Sequence, residues 1–407
     1  MRKRFNRGVA ALVGLTMAGT GLTVATAAPA AASSYDCPSG YFCGWSGEST
    51  KGSMYKTRKN VADLGSWDNK IRSYVNRTSL IACLYDDKNY VPWGTYEALD
   101  PNDPGESTTS PTTTISSVKF VRTDRECSQT AYPSWYSEPS PAAAGFGDMN
   151  GDRRADVITR DLAGRLWFTP GNDTGRLIGS GGWNAMNTLT RHGDFTGDRR
   201  EDLIAREKAT GKLWLYPGTG TGSLGARKLL GASGWNSMNH ITAYGDLTGD
   251  GRSDLIAVQK STGKLWLYPG ASGSKLGARK LIGSGGWNGM NALAGMGDVT
   301  GDGRPDLYAR EKATGKLWLY PGTSTARLGA RKLVGSGGWN AMEHLISVGD
   351  FSGDGRPDLA AVTNEKYRID GFEGHLGWLI TYRGRAGGTL YGGQRTHGEW
   401  WGLSDFC

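Results

Sequence analysis

Beyond residue 145, short apolar runs alternate with polar, glycine-rich turns, and the pattern recurs about every 52 residues. Trp183, Trp235, Trp287 and Trp339 mark one phase of the repeat, and Trp214, Trp266 and Trp318 mark another. Each unit opens with an acidic loop and an apolar run such as Asp306-Leu307-Tyr308-Ala309-Arg310. A Thr-Gly turn, Lys-Leu-Trp-Leu-Tyr-Pro-Gly, Leu-Gly-Ala-Arg-Lys-Leu, Gly-Trp-Asn and a last apolar run to the next Gly-Asp complete it. Runs this short, bounded by turns, read as strands. Four per unit at this period predict a propeller or solenoid, and the count predicts a β-propeller of about five four-stranded blades over 145–407. The first unit is short and the fifth carries an insertion over 366–374, as expected of terminal repeats.

The pattern ahead of the repeats is different. Residues 34–130 hold short aromatic and β-branched runs separated by Gly, Asn and Pro, with an internal duplication. Cys43-Gly44-Trp45 corresponds to Cys83-Leu84-Tyr85, and Ile71-Arg72-Ser73 to Ile115-Ser116-Ser117. An all-β sandwich of two four-stranded units is predicted, with its clearest strand over 113–121 and a loop over 101–112. Residues 131–144, ending in a Ser/Pro/Ala tract, read as a semi-rigid linker that does not pack. Residues 1–27 combine Arg2, Lys3, Arg4 and Arg7, an apolar segment and Ala25-Thr26-Ala27, which predicts a signal peptide and a secreted, extracellular protein.

Removing that segment lowers the formal net charge from +8 to +4, so the basic composition does not argue for nucleic acid. Arg227 and Lys228, Arg279 and Lys280, and Arg331 and Lys332 recur once per repeat, which disperses charge along the chain. No second apolar span is long enough for membrane insertion. Five cysteines fit an oxidising compartment. Four of them admit three pairings; Cys37 with Cys43 and Cys83 with Cys127 is the favoured one, leaving Cys407 unpaired.

The candidate chemistry lies in the acidic loops. Five near-copies place Asp148, Asn150, Asp152 and Asp156; Asp194, Thr196, Asp198 and Asp202; Asp246, Thr248, Asp250 and Asp254; Asp298, Thr300, Asp302 and Asp306; and Asp350, Ser352, Asp354 and Asp358 at positions 1, 3, 5 and 9. Carboxylates crowded so closely repel unless a cation sits among them, and an oxygen-only donor set suits Ca²⁺. One copy would read as a solvated Asp-Gly turn; five favour metal. The pairs Trp183-Asn184, Trp235-Asn236, Trp287-Asn288 and Trp339-Asn340 set an apolar face beside an amide, a candidate glycan site, with inter-blade packing as the favoured alternative. No metallopeptidase, serine-hydrolase, phosphate-loop or dinucleotide motif occurs, and the five histidines do not cluster in sequence, so no enzyme is expected.

Two resemblances extend these readings. Cys37-Pro38-Ser39-Gly40-Tyr41-Phe42-Cys43 and the stretch from Cys83 to Tyr90 resemble secreted actinobacterial peptidase inhibitors of βγ-crystallin fold. That implies a Greek-key sandwich and a secreted protease as partner. The crystallin pattern of two aromatics and a glycine is partly kept, with Thr50 replacing an aromatic and Pro92 a glycine. Its calcium signature survives only as halves, Asp68 and Asn69 in one unit and Ser116 and Ser117 in the other. Gly145-Phe146-Gly147-Asp148-Met149-Asn150-Gly151-Asp152 and its copies resemble FG-GAP/VCBS repeats, the blades of integrin-type propellers. That resemblance implies Ca²⁺ in the acidic loops. Integrins use seven blades, so five here must either close by themselves or be completed by a partner. The expected function is a non-enzymatic calcium-binding platform with a peptidase-inhibitor domain; the alternative is a lectin or adhesin for a surface glycan or protein.

Overall fold

The computed structural model describes residues 36–90, 96–108, 114–128, 133–141, 146–368, 377–397, 400 and 403–407; the expected signal peptide lies outside them. Contacts divide the chain into two units, 1–131 and 132–407. Apart from one helical turn, Arg125–Ser128, and short 3-10 turns, the described regular structure is β.

The strands of the N-terminal unit are β1 (Phe42–Trp45), β2 (Met54–Thr57), β3 (Ser73–Asn76), β4 (Ile81–Tyr85), β5 (Tyr96–Leu99), β6 (Asp103–Thr108) and β7 (Ser117–Val121), of which β1, β3 and β4 are buried throughout. One antiparallel sheet has the order β2-β1-β3-β6 and the other β5-β4-β7. β6 thus crosses from the second half of the duplication to the sheet of the first. The reciprocal crossing shrinks to a single bridge between Val61 and Val118, so four strands face three where four and four were expected. β6 also corrects the loop expected over 101–112. Pro104 is tolerated there because β6 is an edge strand, where a missing N–H need cost no ladder bond. Phe42, Ile71, Tyr74, Ala82, Leu84 and Val118 fill the space between the sheets. The duplication is legible in the backbone: Ser49 and Thr50 have φ of 52° and 59°, and their counterparts Asn89 and Tyr90 have 63° and 61°.

The second unit is a ring of five four-stranded antiparallel sheets. Blade 2 shows the plan: Met186–Arg191 innermost, then Leu203–Glu207, Leu213–Tyr216 and Lys228–Gly231 outward. The last strand of each sequence unit therefore becomes the inner strand of the next blade. Blade 1 would lack an inner strand, and Leu403–Phe406 from the C-terminus supplies it by pairing with Val157–Asp161. Ile158 and Cys407 exchange backbone hydrogen bonds at 2.7 and 3.0 Å. Inner strands touch in cyclic order from Leu403–Phe406 through Met186–Arg191, Met238–Gly245, Met290–Gly297 and Met342–Gly349 back to the first. Five blades close the ring without a partner.

The core lies between blades. Ile256, Val258 and Leu265 of blade 3 pack on Leu307 and Ala309 of blade 4, and equivalent clusters fill the other interfaces. At the seam between blades 5 and 1, Trp135 joins Val157, Ile346, Trp400 and Phe406. The expected linker is therefore corrected from Trp135 to Ser140. Ser137 N–H donates to Gly171 O at 2.8 Å, Glu138 N–H to Phe351 O at 2.8 Å, and Ser140 N–H to Arg153 O at 2.6 Å. These bonds strap the first blade to the last. The Ser/Pro/Ala composition suggested a spacer, but the buried indole of Trp135 anchors the segment.

Candidate functional site

Each acidic loop leads into the second strand of a blade, so the ring gathers all five at one rim. The third loop is representative. Asp246 Oδ1 accepts the N–H groups of Gly249 and Asp250 at 2.6 and 3.1 Å, and its Oδ2 accepts that of Gly251 at 2.7 Å. Asp250 Oδ1 accepts the Arg252 N–H at 3.0 Å. Asp254 is fully buried; Oδ2 accepts the N–H groups of Leu247 and Thr248, and Oδ1 that of Gly270 at 2.9 Å. Position 1 thus shapes the loop while position 9 ties it to the sheet. The pattern recurs in the loops starting at Asp194, Asp298 and Asp350.

The first loop departs from it. Asp156 Oδ2 accepts the Met149 N–H at 2.6 Å, but Oδ1 is buried without a hydrogen-bond partner. In the other loops the corresponding oxygen accepts a glycine N–H from the neighbouring strand. Burial pushes the Asp156 carboxyl up to about 8, and Asp152 and Asp148 push the same way. Burial likewise takes Asp202, Asp254 and Asp358 to about 6, and the position-1 acid of each loop adds to it. Asp306 shifts in the same direction for the same reason.

These features test the fit of a calcium ion. The donors are all hard oxygens, the acids destabilise one another's charge, and Asp156 holds a buried oxygen with no hydrogen-bond partner, which together suit a divalent cation. Among the described residues, however, no three acidic, histidine or cysteine side chains converge closely enough to form a ready cage. The donor chemistry fits; the loops as they stand are closed on backbone N–H groups.

Within the rim lies a mouth of about 860 Å³, bordered by Asp194, Asp246 and Asp298 and by Arg199, Arg200 and Arg304. Its floor is a stacked pair, with the Phe146 and His192 rings 3.5 Å apart. His192 Nδ1 lies 3.1 Å from the Gly295 carbonyl oxygen, reaching from blade 2 to blade 4. Burial pushes the His192 imidazole down to about 3 and keeps it neutral. Gly245 has φ of +86°, and a Cβ there would stand 3.1 Å from His192 Nε2, so glycine makes room for the plug. His240 and His344 sit in inner strands, and His375 lies outside the described residues.

The Trp-Asn pairs are structural. Trp183, Trp235, Trp287 and Trp339 lie 4.8, 4.6, 4.8 and 4.7 Å from Tyr216, Tyr268, Tyr320 and Tyr382 of the next blade. The amides of Asn184, Asn236, Asn288 and Asn340 donate to the carbonyls of Leu162, Lys208, Lys260 and Lys312. The wedge reading therefore replaces the glycan reading for these residues. Sequence reading missed the arginines that clamp them: Arg206 Nη1 donates to the Trp235 and Met238 carbonyls at 3.0 and 2.7 Å, and Arg310 likewise bonds Trp339 O at 3.0 Å. Their only signal was a recurrent Arg four positions after the ninth loop position.

In the N-terminal unit the disulfides are Cys37–Cys43 and Cys83–Cys127, and Cys407 is free. The two halves of the crystallin signature meet: Ser116 Oγ donates to Asp68 Oδ1 at 2.6 Å and lies 3.4 Å from Asn69 Oδ1. Ser117 Oγ does not join them and donates to the Asp87 carbonyl at 2.7 Å. Lys88 Nζ stands 3.7 Å from Asp68 and 3.1 Å from Asp63, so an ammonium already faces this carboxylate.

No curated protein matches the chain. Among solved structures, a lectin of Agrocybe aegerita, described as recognising non-reducing terminal N-acetylglucosamine, is 16% identical, covering 64% of this chain and 69% of that one at a TM-score of 0.37. A Tc holotoxin pore of Photorhabdus luminescens is 15% identical, covering 84% of this chain and 17% of that one at a TM-score of 0.34. Likenesses this remote carry no functional argument. Family models are more specific: residues 30–97 match peptidase inhibitor family I36, and residues 194–257, 246–309 and 298–361 match the FG-GAP-like repeat. The chain thus joins an inhibitor domain of family I36 to a ring of FG-GAP-like repeats.

Proposed function

We propose that this is an exported, non-enzymatic binding protein whose propeller takes up Ca²⁺ in its acidic loops and whose N-terminal domain inhibits a peptidase. The observation that carries the calcium reading is the recurrence of one crowded oxygen-donor loop at a single rim, with the buried Asp156 Oδ1 left without a hydrogen-bond partner. Asp148, Asn150, Asp152 and Asp156 are the residues that would hold the ion there, and it would offset the repulsion among their carboxylates. At about 1 mM ion and site affinities of roughly 0.1 to 1 mM, each loop gains about 0.4 to 1.4 kcal/mol. Two disulfides and the inhibitor-family match support an extracellular setting and a protease partner.

Calorimetric titration of Ca²⁺ into EGTA-treated protein should give heat and raise Tm by several degrees. No heat together with an unmoved Tm rejects the calcium reading. Excess protein should depress at least one member of a panel of secreted metallo- and serine proteases; undiminished activity across the panel rejects inhibition.

A further inference from the structure

The outer arcs of blades 2, 3 and 4 concentrate positive charge. Residues 207–231 hold four Lys or Arg against one Glu, 259–283 five against none, and 311–335 five against one. The matching arcs of blades 1 and 5, 161–179 and 363–397, hold two against two and five against three. Three arcs therefore carry more net positive charge than the entire chain, whose formal value is +8, and the remainder is net acidic. What recurs once per repeat along the chain is set by the fold on three successive blades.

The arcs also share a local geometry. Arg227, Arg279 and Arg331 set their guanidinium groups 4.0, 4.1 and 4.0 Å from the ring centres of Trp214, Trp266 and Trp318. Each tryptophan pairs across the sheet with a leucine of the outer strand: Leu229, Leu281 or Leu333. These leucines are 48%, 38% and 47% exposed, as is the corresponding Leu177 of blade 1 at 44%, so what sets blades 2 to 4 apart is the cations around them. The residue before each is an exposed lysine: Lys228, Lys280 or Lys332. Lys228 Nζ reaches Ser274 Oγ at 3.4 Å, and Arg331 lies 3.7 Å from Glu311; neither contact removes the excess of cations. The outer strand of each blade thus offers a stacked arginine, an exposed lysine and an exposed leucine in succession.

We propose that the outer surface of blades 2 to 4 binds an extended anionic polysaccharide. Its acidic groups would meet the lysines and arginines, and the apolar faces of its sugar rings would meet the leucines. Ring geometry selects a polymer. Successive outer strands turn by a fifth of a circle, so a flat membrane or rigid partner can touch at most two neighbouring blade edges, whereas a flexible chain can follow three. Duplex DNA, with a persistence length of about 150 base pairs, is too stiff to follow this curve without cost. Single exposed charges bind weakly, and repetition in three blades supplies avidity. The proposal goes beyond the calcium and inhibitor readings and does not depend on either.

Affinity electrophoresis of the full-length protein tests it, with polygalacturonate in the gel and neutral dextran or single-stranded DNA in parallel gels. Polygalacturonate should retard the protein at low salt and lose its grip as salt rises. Combining Lys228→Glu, Lys280→Glu and Lys332→Glu should weaken retardation on the order of tenfold, and each change alone about two- to threefold. Replacing the three leucines by serine should weaken it further while leaving the net charge unchanged. Wild-type retardation of the triple lysine variant, equal retardation by neutral dextran, or tighter retention by single-stranded DNA would overturn the proposal. Thermal melts of each variant separate lost binding from lost folding, and Lys→Gln replacements serve where reversal unfolds the protein. Melts with EGTA report separately on the calcium reading, since polymer retention and ion uptake involve different residues.

Discussion

The two units of this chain solve the problem of stability in opposite ways. The N-terminal unit has fewer than 100 described residues, an irregular pair of sheets and two disulfides, one closing a span of 44 residues. The propeller has no disulfide among its described residues and repeats one interface around a ring. A small domain buries too little apolar surface and needs covalent staples. A ring spreads its burial over every blade interface but must close, because an open end exposes an inner strand's worth of edge. The weak point of the first unit is therefore chemical, and that of the second is topological.

Breaking the ring should have the largest effect. Deleting residues 403–407 removes the inner strand of blade 1 together with Phe406, which is 6% exposed. Loss of the phenylalanine alone costs about 3 to 5 kcal/mol, and the uncovered strand adds to it. The propeller transition in a thermal melt should shift down by more than 10 °C or vanish, while the N-terminal transition stays put. A melt indistinguishable from the intact protein would show that the seam is held by the 135–140 strap alone.

Reduction should reverse the asymmetry. Paired Cys83→Ser and Cys127→Ser replacements should cost the N-terminal unit about 2 to 4 kcal/mol. Dithiothreitol should then lower only the N-terminal transition. If both transitions fall together, the units are not independent in stability and the contrast fails.

The sequence exposed these two designs unequally. The repeat was legible because period, strand length and turn residues agree in every unit. Closure was not, because Leu403-Ser404-Asp405-Phe406 lacks the Met start and Gly-Asp end of the other inner strands. Its assignment comes from pairing with Val157–Asp161, across nearly the whole propeller sequence. The strap was hidden by composition: serine, proline and alanine outweighed Trp135, the residue that docks it. In the N-terminal unit the disulfides and duplication could be read, but β6 could not, since Pro104 and Gly105 argue against a strand anywhere but an edge. The acidic loops were visible as donors, whereas the extent to which backbone N–H groups already occupy them depends on the fold. Trp-Asn showed that recurrence alone does not separate a ligand platform from a wedge.

A milder test concerns Arg206 and Arg310, which bind carbonyls of the next blade where blade 3 has Val258. Arg206→Met leaves the Trp235 and Met238 carbonyls without their charged donor. It should cost about 1 to 3 kcal/mol and lower the propeller transition alone. An unchanged transition would show that this interface, like that of blade 3, is held by apolar packing.

Acid offers the finest probe, because it acts at the closure itself. His344 lies in the inner strand Met342–Gly349, 4.7 Å from the ring of Phe406. Burial, with Arg310 and Arg160 close by, pushes its imidazole down to about 4, below the value near 6.5 expected in the unfolded chain. A depressed histidine makes its full contribution above the unfolded value and loses it as pH falls from about 6.5 toward 4, because the unfolded chain takes the proton first. Arg160 also holds Asp405, at 3.4 Å, so a charge on His344 would arise among the residues that clasp the C-terminal strand. His344→Gln should flatten the acid loss of the propeller transition by about 1 to 2 kcal/mol between pH 6.5 and 4, with little change at pH 8. If the slope persists in the variant, the acid sensitivity of the ring lies elsewhere than at its clasp.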